Sequence, residues 1–194
     1  MASMWDRQRE ADVVTAWRRG DQEAVREVVA HFGPTLLRVA LALCPRAEDA
    51  EDVVQDALLR AHRALGTFDP ARGVLHGWLI GITANRARQV RRGLARYALL
   101  LTRMARDSYV VSTPASPQRG DLELARRRLA MLPPRERVAF VLVEIEELSS
   151  TEAARAMGIS DSTVRVLVTR ARARLHRKRD LPHALPARAE GRGK

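Results

Sequence analysis

Cysteine occurs once in the 194 residues, at Cys44. An internal disulfide is therefore impossible, and a cysteine-based metal site is excluded. Aromatic side chains make up only 4% of the chain, and isoleucine is rare, whereas Ala, Leu and Arg abound. That balance favours helices over sheets. Long apolar runs are also missing. The longest, residues 36–44, is interrupted by Arg38 and falls well short of the ~20 residues a membrane-spanning helix needs. The first residues carry Asp6 and Glu10 with no apolar stretch behind them, which is unlike a secretory signal. A cytoplasmic protein without membrane insertion is the simplest expectation. What the chain does have is 46% apolar residues, enough for a packed core, and a net charge of +11. Such a charge points to a polyanionic partner. A membrane surface fits less well, because the basic residues are spread through helical patterns.

Residues 148–179 organise the rest. Ser149 and Glu152 have the spacing of a capping box. Ala153, Ala154 and Met157 follow as a small apolar face, Gly158 supplies a turn, and Ser160 is placed to cap a second helix. Read at ~100° per residue, Val164, Leu167, Val168, Ala171 and Leu175 face inward in that second helix. Ser162, Arg165, Val166, Thr169, Arg170 and Ala173 face outward. No acid occurs from 162 to 179, while Arg165, Arg170, Arg172, Arg174, Arg177, Lys178 and Arg179 do. Hydroxyl and guanidinium groups on one side of a capped helix suit the major groove of DNA. A solvated basic helix in an ordinary bundle is the plainer alternative.

Upstream, residues 1–9 read as a loose tail. A helix bearing Val13, Val14 and Trp17 ends at Gly20, and Asp21 caps the next, with Val25, Val28, Val29 and Phe32. Gly33-Pro34 reads as a break before a third helix carrying Leu36, Leu37, Val39, Ala40 and Leu43. Residues 47–65 form an acidic helix. Glu48, Asp49, Glu51, Asp52 and Asp56 crowd its start, with Val54, Ala57, Leu58, Ala61 and Leu65 as the buried face. Acids favour a helix N-terminus, yet five in a basic chain also suit docking on a basic protein, or a carboxylate metal or acid/base site. Residues 66–74 are a loop. A long helix then runs from about 75 to 106, with Trp78, Leu79, Ile82 and Val90 apolar and arginines at 86, 88, 91, 92, 96, 103 and 106. Trp78 beside basic residues suits either single-strand stacking or a core position. Residues 107–121, rich in Ser, Thr, Pro and Gly, read as a linker. A short helix over 122–131 follows, then one from Pro134 through Ile145, and finally a disordered tail after Asp180.

Taken in order, Gly20-Asp21, Asp52-Val53-Val54-Gln55-Asp56, Trp78-Leu79 with Ile82 and Asn85, Leu132-Pro133, Thr151-Glu152-Ala153-Ala154 and Ser162-Thr163-Val164-Arg165 resemble a sigma-70-type sigma factor of the extracytoplasmic-function (ECF) group. The resemblance spans about residues 10 to 180. It implies an all-α fold of two helical domains, 10–106 and 122–180, joined by the flexible linker 107–121 and followed by a tail, 181–194. It implies no enzyme activity, no cofactor and no metal. Core RNA polymerase is the implied partner, with its β′ clamp helices on Asp52, Gln55, Asp56 and Arg60 and its β flap on the helix around 138–145. Promoter DNA is the other. Thr67, Phe68, Asp69, Trp78, Asn85, Arg86 and Arg88 would act on the melted −10 element. Ser162, Thr163, Arg165, Thr169, Arg170 and Arg172 would act on the duplex −35 element. An anti-sigma factor is a further implied partner. Gly81 and Thr83 depart from the family's usual basic residue and Ala, so helix softness is expected there. Val166 and Leu167 stand where Ser and Arg are usual. A stand-alone helix-turn-helix regulator would explain the C-terminal half alone, and a nucleic-acid enzyme using the 48–56 carboxylates is a third reading. Cys44 is open to two readings, a redox sensor or a small buried residue.

Overall fold

The computed structural model describes residues 5–71, 73–104 and 120–179. Helices follow one another as α1 (Arg7–Arg18), α2 (Gln22–Leu43), α3 (Glu48–Ala64), α4 (Leu75–Met104), α5 (Gly120–Ala130), α6 (Pro134–Phe140), α7 (Ser150–Met157) and α8 (Asp161–Arg179), and no strand occurs among the described residues. Most of the linker and all of the tail expected after 180 lie outside them. Gly120 and Asp121, assigned to the linker from sequence, already belong to α5.

The first correction concerns the N-terminus. Helix α1 starts at Arg7, because the Asp6 carboxylate caps it by accepting from the Arg9 amide at 2.7 Å. Trp5 stacks on His31 with ring centroids 4.6 Å apart, so this segment is anchored. Gly20 ends α1 at φ 82°, and Asp21 caps α2, as the sequence indicates.

The second correction is at Gly33-Pro34, where α2 runs through without a break. An interior proline removes one hydrogen bond and costs about 3 kcal/mol. Burial offsets it: Val28 and Phe32 before the proline and Leu36, Val39, Ala40 and Leu43 after it point into one core. Each large apolar side chain there contributes roughly 1.5–3 kcal/mol. Ending the helix would turn one of these groups away from that core.

In α3 the fully buried stripe is Ala50, Val53, Ala57 and Ala61. Val54 and Leu58, expected inside, are only half-buried. The stripe is rotated because α3 packs on both α2 and α4, and three alanines let the helices approach closely. Residues 65–67 form a single 3₁₀ turn that opens the loop to α4. The N-terminal amide of α4 is satisfied from a distance: Leu75 N–H donates to Glu10 Oε1 of α1 at 2.9 Å.

The C-terminal half follows its sequence signals. Pro134 sits in the first turn of α6, which widens into one π-helical turn over Val141–Ile145. Glu147 then adopts φ 56°, a conformation that costs a non-glycine residue about 1 kcal/mol or more. Ser149 and Glu152 form the complete capping box of α7, and Gly158 ends it at φ 65°. Such a cap is worth about 1 kcal/mol. The Thr163 amide donates to Ser160 Oγ at 3.3 Å at the start of α8.

The two halves touch. Helix α4 packs on α7 and α5 on α2. Glu146, with a side chain only 2% exposed, accepts from Arg38 at 3.0 Å. The Arg126 guanidinium donates to the Leu41 carbonyl at 3.1 Å.

Cys44 is buried at the end of α2. Desolvation, with the nearby Asp49 carboxylate second, pushes its thiol up to about 11, so little thiolate exists near neutrality. The small-residue reading therefore stands over the sensor. At pH 8 a thiol reagent should leave Cys44 unmodified in the native protein and react promptly once denaturant is added; rapid native labelling would contradict this burial.

Candidate nucleic-acid interface

Helix α8 presents the two faces its sequence announces. Val164, Leu167, Val168 and Ala171 are buried against α6 and α7, with Leu175 half-buried beside them. Ser162, Arg165, Val166, Thr169 and Arg170 are exposed. The basic residues then sort by partner. Arg172 is bound to Glu144 at 2.6 Å and Arg174 to Glu136 at 2.9 Å, so both brace α8 against α6 and the π-helical turn that follows it. Arg165 is held by Asp161 one turn back. Arg170 has no ion-pair partner among the described residues. Thr163 is half-buried, and its hydroxyl lies 2.7 Å from that of Ser160, so it belongs to the cap. Thr169 donates its hydroxyl proton to the Arg165 carbonyl at 2.9 Å and keeps its lone pairs outward. Val166, 47% exposed at the middle of this face, is a residue the sequence reading placed outward but gave no role.

The acidic helix shows Asp52, Gln55 and Arg60 to solvent. Asp56 is only half-exposed and is bound by Arg60 at 2.9 Å and by Arg86 of α4. Two residues expected to serve different partners, Asp56 and Arg86, are thus tied to each other. Arg46 likewise holds Asp49, at 2.6 Å.

Between α4 and α7 lies a groove of about 340 Å³. Phe68, Trp78, Ile82 and Asn85 line one wall, and Glu152, Arg155 and Ala156 the other. Thr67 and Asp69, at its edge, are exposed, whereas Phe68 is buried at 4%. Phe68 lies 5.3 Å from Trp78, centroid to centroid, and serves as floor rather than as an exposed contact. Trp78 is half-buried, so it belongs both to the core edge and to the groove. The loop is shaped from behind: Arg18 donates to the Phe68 carbonyl at 2.6 Å, and Asp69 Oδ1 accepts from the Ala71 amide at 2.9 Å. Asn85 is engaged on both ends, donating to the Ala156 carbonyl at 3.1 Å and accepting from Arg88 at 2.9 Å. Sequence reasoning missed Glu10, Arg18, Arg155 and Ala156, because no local pattern ties them to residues 67–85.

No group of three or more His, Cys, Asp or Glu suited to a metal occurs among the described residues, so the carboxylates of α3 are not gathered as a centre. No helix among the described residues is long and apolar enough to cross a membrane.

Residues 28–97 match the Sigma-70 region 2 family, and residues 122–175 match Sigma-70, region 4. The chain is 33% identical to the ECF RNA polymerase sigma factor SigM of Mycobacterium tuberculosis, over 87% of this chain and 83% of that protein. It is 33% identical to the RNA polymerase sigma factor CnrH of Cupriavidus metallidurans, over 80% of this chain and 86% of that protein. Among solved structures, CnrH in complex with the cytosolic domain of CnrY superposes with a TM-score of 0.68 at 28% identity, covering 90% of this chain and 98% of that one. The sigma factor RpoE in complex with the anti-sigma factor NepR, from Bartonella quintana, gives 0.65 at 28% identity, covering 80% and 98%. A bipartite helical chain with an acidic face, a groove fed by a basic helix and a capped helix-turn-helix therefore belongs to the sigma-70 family, as an ECF RNA polymerase sigma factor.

Proposed function

We propose that this chain gives core RNA polymerase its promoter specificity through three separate surfaces. Residues 10–106 carry the docking and −10 functions, residues 107–121 connect, residues 122–180 carry the −35 function, and residues 181–194 are a tail. Asp52 and Gln55 of α3, with Asp56 and Arg60, meet the β′ clamp helices. The helix around 138–145 meets the β flap. Thr67, Asp69, Trp78, Asn85, Arg86 and Arg88 act on the −10 strand once it is unpaired, by stacking and phosphate contacts, with Phe68 as the buried floor beneath Trp78. The outer face of α8 reads the −35 duplex, with Ser162, Arg165, Thr169 and Arg170 at base edges and Arg172 at the flank. The protein works in the cytoplasm, where the polymerase is, and an anti-sigma factor holds it in reserve, as NepR is paired with RpoE.

The observation that carries this reading is the sorting of charge on α8. Glu136 and Glu144 bind the arginines on its flank, while hydroxyls, Val166 and Arg170 are left on its outer face. A stand-alone regulator would need the same α8, but it has no use for the acid face of α3, and the family matches cover both halves of the chain.

Two substitutions test the assignment. Asp56→Arg would also break the contact with Arg86, so Asp52→Arg is the cleaner docking test, because Asp52 is exposed. It should abolish binding to core polymerase and leave −35 duplex binding by the free protein intact; undiminished core affinity would remove α3 from the docking role. Arg170→Ala should weaken −35 binding by about 1–3 kcal/mol if it makes a bidentate base contact. An equal loss on random duplex would reassign Arg170 to phosphate.

A further inference from the structure

The outer face of α8 is divided lengthwise. Ser162, Val166, Thr169 and Ala173 have helical spacing and run down its middle. All four are exposed. Arg165 lies on one side of this stripe and Arg170 on the other. The stripe itself carries no charge, and Asp161, Glu144 and Glu136 restrain Arg165, Arg172 and Arg174 around it. Its hydroxyls are partly committed as well. Ser162 Oγ lies 3.1 Å from Ser160 Oγ, and Thr169 gives its proton to the Arg165 carbonyl at 2.9 Å. Val166, between them, has no polar side-chain atom at all.

An exposed valine in the middle of a face that meets base edges has a chemical consequence. The major groove presents hydrogen-bonding groups on every base, and one apolar group, the C5 methyl of thymine. A valine pressed on a ring nitrogen, a carbonyl oxygen or an amino group strips its water and returns no hydrogen bond, which costs affinity. Pressed on the thymine methyl, it buries apolar surface on both partners. The neighbours favour the same base. Thr169 and Ala173 add methyl groups to the stripe. Arg165 must leave Asp161 before its guanidinium can fork onto guanine. A hydroxyl at this position would serve any base edge; a valine serves one.

We propose that Val166 is a specificity-determining residue that seats the C5 methyl of one thymine in the −35 duplex. This contact, with Arg170 as the neighbouring cation, sets the sequence preference of α8. The inference rests on the promoter-directing reading above and adds to it the base that this face selects.

Deoxyuridine tests it, because it differs from thymidine by that methyl group alone. Holoenzyme made from the full chain and core polymerase first selects its −35 sequence from a promoter library randomised there. Each thymine of the selected element, on either strand, is then replaced by deoxyuridine, and holoenzyme binding is measured. One position should lose about fourfold in affinity, the effect of burying a single methyl-sized group. The same replacement should cost the Val166→Ala holoenzyme almost nothing, which isolates the pair as a double-mutant cycle does. With the chain unaltered, 5-methylcytosine at that position should bind about fourfold better than cytosine. A selected element without thymine, or deoxyuridine tolerated at every position, would overturn the methyl contact. A loss that persists undiminished in Val166→Ala would take the contact away from Val166 and leave its exposed side chain to a protein partner. A library from which no −35 sequence is enriched would overturn the promoter-directing reading itself, and this inference with it.

Discussion

The approach of Ala156 to the bare backbone at Gly81 governs much of this molecule. Two helices from different halves of the chain meet where one has no side chain, and a Cβ added at Gly81 would stand only 3.1 Å from that of Ala156. Contact at that point fixes the position of α7, and through it the facing wall of the groove. It also gives Asn85 its acceptor. The glycine that local propensity marks as a weakness in α4 is a point of close helix packing in three dimensions.

Charge is arranged around this contact with a consistent logic. The chain is strongly basic, yet many of its acids are placed where they restrain an arginine. Glu144 and Glu136 hold Arg172 and Arg174 at the side of α8. Asp56 holds Arg60 and Arg86, and Glu146 holds Arg38 across the junction. The exposed pair of Asp56 with Arg60 contributes little to stability, whereas Glu136 and Glu146 are buried; together the pairs choose which cations remain for a polyanion. On α8 the outcome is an outer face whose chemistry is short, neutral and hydroxylic around Val166, with Arg170 beside it.

Support for the groove comes from far away in sequence. Glu10 satisfies the first amide of α4, and Arg18 holds the Phe68 carbonyl, so α1 shapes a loop fifty residues downstream. The burial of Phe68 follows from that, since the loop is drawn inward and the ring closes on Trp78. Phe68, which the family resemblance places on the melted −10 strand, is in the fold a buried floor.

Elements governed by local chemistry were legible without coordinates. The capping box at Ser149 and Glu152, the left-handed Gly158, the 3.6-residue stripe of Val164, Leu167, Val168 and Ala171, and the acid-rich start of α3 each arise from interactions within one or two helical turns. Family membership was legible too, because it is carried by those same short motifs in order. The continuous α2 was not, because a proline inside a helix is settled by what both flanks bury. Nor were the rotated stripe of α3, the bond between Asp56 and Arg86, or the seating of α7 on Gly81. Local sequence determined the helix-turn-helix, its caps and the two faces of α8; only the tertiary structure decided the continuity of α2, the buried side of α3 and which faces meet, since packing and desolvation act between residues that no periodicity connects.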